Sequence, residues 1–173
     1  MIPELETDRL LMRGWRDSDF DAFGPFWMDP ETAKYIGGAA ETRGEAWRRM
    51  AIMAGHWQLR GFGFWVLERR KDSAPIGFCG LWYPEEWPEP EVGWSVLKPH
   101  QRQGYASEAA RAAIGFAEGL GWTTLISLIN KDNIASRGVA EKLGATYERD
   151  IEINGRTALV YRHRLPNEHM TVS

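Results

Sequence analysis

Apolar and polar positions change rhythm several times along the chain, and each change predicts an element. Residues 7–16 set Leu10 and Met12 against Leu11 and Arg13, the alternation of a first strand. From Asp17 the rhythm becomes helical, with Phe20, Phe23, Phe26 and Trp27 recurring until Pro30 interrupts; a second short piece from Glu31 ends at Gly37-Gly38. Thr42 and Glu45 read as a capping box, the hydroxyl taking one free N–H and the carboxylate another. They open a helix to about Leu59, with Ala46, Met50, Met53 and Trp57 down one side and Gly61 closing it. Residues 62–70 and 75–83 are two strands joined by the polar turn Lys71-Asp72-Ser73-Ala74.

Glu91 to Leu97 alternates Val92, Trp94 and Val96 with Gly93 and Ser95, and Pro99 stops it. Ala109, Ala110, Ala113, Ile114 and Ala117 then mark one face of a helix that ends at Gly119 and Gly121. Trp122 to Ile129 is a continuous apolar run suited to a buried strand. Asn133 is placed to N-cap a short helix that ends at Gly144. Residues 146–153 and 156–164 flank Asn154-Gly155, a two-residue hairpin signal.

A chain of 173 residues is long enough for one full core, so 1–173 is read as a single domain, with 166–173 a loose tail. A formal charge of −3 supplies no basic field, which argues against nucleic acid as a partner. One cysteine, Cys79, excludes an intramolecular disulfide and a Cys/His zinc cluster, and no metal is expected. No apolar run approaches the ~20 residues of a membrane span, and the N-terminus lacks a signal-peptide core. A soluble, cytoplasmic protein without a membrane partner is the expectation. Nine tryptophans point to an aromatic core or an aromatic acceptor pocket around Trp27, Trp57, Trp82 and Trp87. The acidic loop Pro84 to Pro90 would favour a cationic amine, although such a loop is also what a merely solvated segment looks like.

The chemistry concentrates at Gln101-Arg102-Gln103-Gly104-Tyr105-Ala106-Ser107, where the central strand turns into the central helix. Backbone N–H groups at a helix start lack intrahelical partners and lie at its positive end, which attracts phosphate. Gly104 lets the main chain approach a ligand, Ala106 adds little bulk, and Arg102 and Ser107 could add a charge and a hydroxyl. Locally this is equally the pattern of an ordinary strand, turn and helix. There is no G-x-x-x-x-G-K-[ST] for a P-loop and no G-x-G-x-x-G for a dinucleotide fold. Gln101, Gly104 and Ala106 do fit Q/R-x-x-G-x-G/A, the pyrophosphate motif of the GNAT N-acetyltransferases.

Four stretches make the chain resemble that superfamily, and within it the branch that acetylates ribosomal-protein N-termini. They are Thr7 to Arg13, Glu91-Val92-Gly93-Trp94, Gly104 to Ala109, and Asn133-Ile134-Ala135-Ser136 leading to Glu141-Lys142-Leu143-Gly144. The resemblance implies an α/β (α+β) fold with a mixed, mostly antiparallel sheet of about six to seven strands, splayed into a V between the fourth and fifth. It implies acetyl-CoA as donor, its pantetheine arm along the backbone of Trp94, Ser95, Val96 and Leu97, its pyrophosphate on the amides of Arg102 to Ser107, and Asn133 beside the arm.

For catalysis the resemblance points to a backbone N–H near Val96 for the oxyanion and to Ser136 as hydrogen-bond donor or water relay toward the sulfur. Many members carry a tyrosine where this chain has Ala140, which shifts the leaving-group role to Ser136 or water. Glu91 is the first candidate base and Glu152 the second. The acceptor would be a small-molecule amine or a protein N-terminus, and the protein a monomer or homodimer. A CoA-binding regulatory module without turnover is the alternative, and a ligand-free interaction domain a further one.

Overall fold

The computed structural model describes residues 1–165 of the protein. In chain order its elements are β1 (Leu5–Glu6), β2 (Leu10–Arg13), α1 (Phe20–Met28), α2 (Pro30–Ala33), α3 (Arg43–Arg60), β3 (Phe64–Arg69), β4 (Ala74–Trp82), β5 (Glu91–Val96), α4 (Tyr105–Gly119), β6 (Ile126–Ile129), α5 (Ile134–Lys142), β7 (Thr146–Ile153) and β8 (Arg156–Arg162). One eight-stranded sheet runs in the order β1-β2-β3-β4-β5-β6-β8-β7, antiparallel throughout except where β5 lies beside β6.

The sheet therefore has one strand more than the sequence led us to expect. β1 pairs only through Leu5 and Glu6, too short a segment to show a period, and with it the splay falls between the fifth and sixth strands. The apolar run Trp122 to Ile129 becomes a strand only from Ile126. Before that point its neighbour is the Pro88 to Pro90 loop, where Thr124 bonds Glu89, and the two prolines there have no N–H to give. The expected tail, 166–173, lies outside the described residues.

Local chemistry explains where the helices begin and end. Asp29 is extended, as the residue before a proline prefers, so α1 stops at Met28 and Pro30 starts α2. The Thr42 hydroxyl accepts the Glu45 N–H at 3.1 Å, and Glu45 reaches back to the N–H of Glu41, one residue beyond the expected position. Gly61 closes α3 at φ 76°, a left-handed conformation that favours glycine.

Packing on the two faces of the sheet is unequal in kind. On one face, the alanine stripe of α4, Ala109, Ala110, Ala113 and Ala117, lies fully buried on Trp65, Leu67, Cys79, Leu81 and Val92. Small side chains let that helix sit close to the sheet, and they leave its N-terminus beside the end of β5. Cys79 is fully buried there, and burial pushes its thiol up, as fits a packing role. The opposite face is aromatic: Phe23, Phe26 and Trp27 of α1 and Met50 of α3 pack on Val66 and Phe78. A buried ion network holds the first turn to the sheet, Arg13 bonding Asp19 at 2.8 Å and Glu68 at 2.5 Å. A close approach also fixes Gly80 in β4, because a Cβ there would come within 2.2 Å of the Gly63 carbonyl oxygen.

Candidate functional site

The centre of the site is the place where β5 and β6 part. They share one parallel register pair, Glu91 with Ile126, and the Ile126 N–H donates to the Pro90 carbonyl at 2.9 Å. One step further the ladder fails. The Val92 carbonyl accepts instead from the Ser127 hydroxyl at 2.6 Å, and the Leu128 N–H goes to Oε1 of Glu91 at 3.2 Å. Two side chains thus occupy positions a backbone rung would take, and beyond them the strands diverge.

Alternation along β5 determines which of its groups face that opening. The Leu97 N–H bonds the Ile76 carbonyl at 2.8 Å, and the register steps evenly from Gly77 with Val96 to Trp82 with Glu91. In an antiparallel pair hydrogen-bonded positions alternate, so Ser95, like Leu97, turns its N–H to β4, while Trp94 and Val96 turn theirs to the opening. The expected pantetheine rail of Trp94 to Leu97 is thereby reduced to Trp94 and Val96. Val96 has part of its polar backbone engaged, since the Gln101 side chain donates to its carbonyl at 2.9 Å.

Glu91 sits at the vertex of the V. Its other oxygen, Oε2, accepts from the Trp87 indole N–H at 2.8 Å, and the residue is buried, with 9% of its surface exposed. Burial outweighs those two hydrogen bonds and pushes the carboxyl up to about 7. Gly93, two residues on and on the same face, keeps space beside it: a Cβ there would lie 3.1 Å from the Phe64 ring and 3.9 Å from Glu91 Oε1. Below the vertex, Nε2 of His163 lies 2.9 Å from the Ser127 oxygen. Because the Ser127 hydroxyl donates to Val92, the ring must donate through Nε2, and burial holds the imidazole neutral at about 4.

The turn before α4 has the shape its sequence called for. Gly104 takes φ 84° and Arg102 φ 60°, and among the described residues the N–H groups of Arg102 to Ser107 meet no protein acceptor. Glu108 and Arg9 brace the turn from behind: Arg9 donates to the Gln103 carbonyl at 2.8 Å and pairs with Glu108 at 2.6 Å. The Ser107 hydroxyl is buried and donates to the Gly104 carbonyl at 3.0 Å, so it faces the helix rather than a ligand. Gln101, Arg102 and Gln103 are exposed, and Tyr105 is buried under the Arg9 guanidinium, 4.3 Å from the ring centre. Bare amides, a positive helix end and a glycine in the left-handed region fit a diphosphate.

On the aromatic face of the sheet the V opens into a cavity of about 630 Å³, walled by α1, α3, β5, β6, the start of α5 and the β7–β8 hairpin. Trp27, Trp82 and Trp87 line it as expected; Trp57 does not, because its indole is turned inward against Trp65 and Phe116. Val96 is absent from the wall, and the opening-facing amide that does border the cavity is that of Trp94. Asn133 and Ser136 are in the wall; the Asn133 side-chain oxygen Oδ1 caps α5 by accepting the Ser136 N–H at 3.2 Å, which leaves its NH2 group free. The Ser136 hydroxyl makes no hydrogen bond to the described residues. Ala140 is fully buried against α5's own packing partners and brings no hydroxyl to the site.

Two expectations fail here. Glu152 is exposed, bonds Thr157 at 2.5 Å and does not border the cavity, so it is not a base for this site. The acidic loop contributes Trp87 and nothing charged: Glu89 is tied to Arg162 at 2.5 Å, which holds its carboxyl down at about 2, and Glu85 pairs with Arg60. The charged residues of the wall are Glu91, Arg49 and Arg156, and neither arginine was read from the sequence as part of a site. Among the described residues no cluster of three or more His, Cys, Asp or Glu could hold a metal, and no helix is long and apolar enough to cross a membrane.

Residues 9–146 match the family model of an acetyltransferase (GNAT) domain. The chain is 31% identical to an acetyltransferase from Agrobacterium tumefaciens whose crystal structure superimposes with a TM-score of 0.86, covering 95% of each chain. It is 30% identical to the protein YkkB of Bacillus subtilis, over 95% of this chain and 97% of that one. The fold is shared further with RimL, a ribosomal L7/L12 alpha-N-protein acetyltransferase solved with coenzyme A, at 16% identity and a TM-score of 0.77 over 94% of this chain and 98% of that one.

Proposed function

The chain belongs to the GNAT acetyltransferases, and from that premise we propose that it moves an acetyl group from acetyl-CoA to a primary amine by direct attack in a ternary complex. The observation that carries the reading is the splay of β5 from β6, which leaves the Trp94 N–H facing an opening with a buried carboxyl, Glu91, at its vertex. In this reading the diphosphate rests on the amides of Arg102 to Ser107, and the pantetheine arm follows the Trp94 and Val96 edge of β5 with Asn133 on its other side.

An amine attacks only when neutral, so its ammonium proton must leave first. Glu91, poised near neutrality by burial, takes that proton directly or through a water. The nitrogen lone pair then forms the C–N bond, and the carbonyl electrons move onto oxygen, where the Trp94 N–H, the opening-facing amide at the cavity, donates to the oxyanion. Collapse breaks the C–S bond, and the second proton of the attacking nitrogen passes through water to the departing CoA thiolate, which the Ser136 hydroxyl meets as a hydrogen-bond donor, leaving the neutral amide and CoA thiol.

Release of CoA thiol from acetyl-CoA across a panel of primary amines tests the proposal. Amine-dependent release is expected, and Ser136→Ala should lower kcat by about 5- to 10-fold, the worth of one hydrogen bond of about 1 kcal/mol or slightly more. Tight CoA binding without release for any amine would instead favour a silent CoA-binding module.

A further inference from the structure

We infer that the amine acceptor carries a carboxylate, which docks on Arg49 and Arg156 at the wall of the cavity while the amine lies toward Glu91. This rests on the acetyl-transfer reading and adds to it the charge of the acceptor.

The two guanidiniums come from positions far apart in sequence and meet at one turn. Arg49 projects from the middle of α3, and its Nη1 donates to the Gly38 carbonyl at 2.8 Å. Arg156 opens β8, and its Nη1 donates to the Lys34 carbonyl at 3.4 Å; its Nη2 lies 3.7 Å from where a Cβ on Gly38 would stand. Gly37 and Gly38 both hold positive φ, 100° and 82°, so the turn between α2 and α3 presents backbone and no side chain at that spot. Both arginines border the same cavity.

Arg49 and Arg156 pair with no carboxylate among the described residues, as is also true of Arg43, Arg48, Arg102, Arg111, Arg137 and Arg164; what sets the two apart is that they alone of these line the cavity, so their uncompensated charge falls on the site. Carbonyl oxygens orient them without neutralising them. Two adjacent guanidiniums that keep free N–H donors in a partly enclosed cleft match the planar, two-oxygen geometry of a carboxylate. The remaining charged group of the wall is Glu91, and it is the partner suited to an ammonium. The wall also carries the aromatic rings of Trp27, Phe64, Phe78, Trp82 and Trp87, which suit an apolar body between the two ends. The charge order is thus the opposite of what the acidic loop led us to expect from the sequence, since Glu85 and Glu89 pair with arginines and none of the loop's carboxylates borders the cavity.

A free amino acid and the N-terminus of an acidic peptide both offer an amine with a carboxylate. The test uses matched pairs that differ only in carboxylate against carboxamide: L-phenylalanine and its amide, then short peptides with Asp or Asn at the second or third position. The intact protein, acetyl-CoA and thiol detection give kcat/KM for each. At one spacing the carboxylate member is expected to exceed its carboxamide by about 10- to 100-fold, and that spacing separates the free amino acid from the peptide source. Arg156→Gln and Arg49→Gln should each shrink that ratio toward one, mainly by raising KM for the carboxylate member. Arg156 is exposed on a hairpin, so its replacement leaves the fold intact if the anchored Arg49 does not tolerate change. Equal turnover of carboxylate and carboxamide at every spacing, or a preference unchanged in both variants, overturns the inference while leaving acetyl transfer standing. No turnover of any amine, with CoA bound, overturns the acetyl-transfer reading and the inference with it.

Discussion

Glu91→Gln is expected to lower kcat by about 10²- to 10⁴-fold, the range over which a positioned general base contributes. The same substitution should flatten the pH profile. A carboxyl held at about 7 instead of the ordinary 4.5 gains its base form as pH rises through neutrality, so kcat/KM should climb across that interval in the unaltered protein and lose the climb in the variant. Stability moves the other way. A carboxyl whose pKa is raised by folding stabilises the native state fully below 4.5, and that contribution disappears as pH rises through about 7. From Glu91 alone the unfolding free energy should therefore fall by about 3 kcal/mol over that window, which denaturant titrations at several pH values would detect. Glutamine keeps one acceptor oxygen where two donors, the Leu128 N–H and the Trp87 indole, now converge. One of them loses its partner, so the variant should also be less stable at pH 4.5 by about 1–3 kcal/mol.

Gly104→Val should weaken CoA binding by about 100-fold, roughly the loss of two charge-assisted hydrogen bonds. At φ 84° a β-branched residue is strained, and its Cβ would lie 3.3 Å from Arg9 Nη2, a group already fixed by Glu108 and the Gln103 carbonyl. The turn must shift, and with it the amides it aims at a diphosphate. Calorimetric titration with CoA gives the affinity, and a melting curve on the same sample shows that α4 and the sheet remain folded. An affinity within about twofold of the unaltered protein would mean that the diphosphate rests elsewhere.

The parts of this molecule that could be read from sequence are those fixed by nearby residues. The Thr42 cap, the Gly61 stop, the Asn154-Gly155 hairpin and the bare amides after Gly104 depend on chemistry within a few positions, and each stands where its pattern put it. The site is a different matter. Glu91 could be named as a carboxylate at a strand entrance, but its role as the plug between strands depends on the Leu128 N–H, a partner 37 positions away. Trp57 carries the same helical spacing whether it faces a cleft or the core, and only the position of Trp65 and Phe116 decides for the core. The charges of the loop before β5 were visible in the sequence; that Arg162 takes Glu89 out of play was not. Arg49 and Arg156 gave no local signal at all, since what makes them a pair is the glycine turn between α2 and α3 that brings them together.

The proposed acetyl transfer requires a CoA diphosphate at the mouth of α4 and a thioester arm along β5. Backbone amide NMR of the labelled protein, titrated with CoA, addresses both at once. The amides of Gly104 to Ser107 should shift together with those of Trp94 and Val96, while Ser95 and Leu97, already bonded to β4, should move far less. Saturable binding that leaves the Gly104 to Ser107 and Trp94 resonances in place would contradict it.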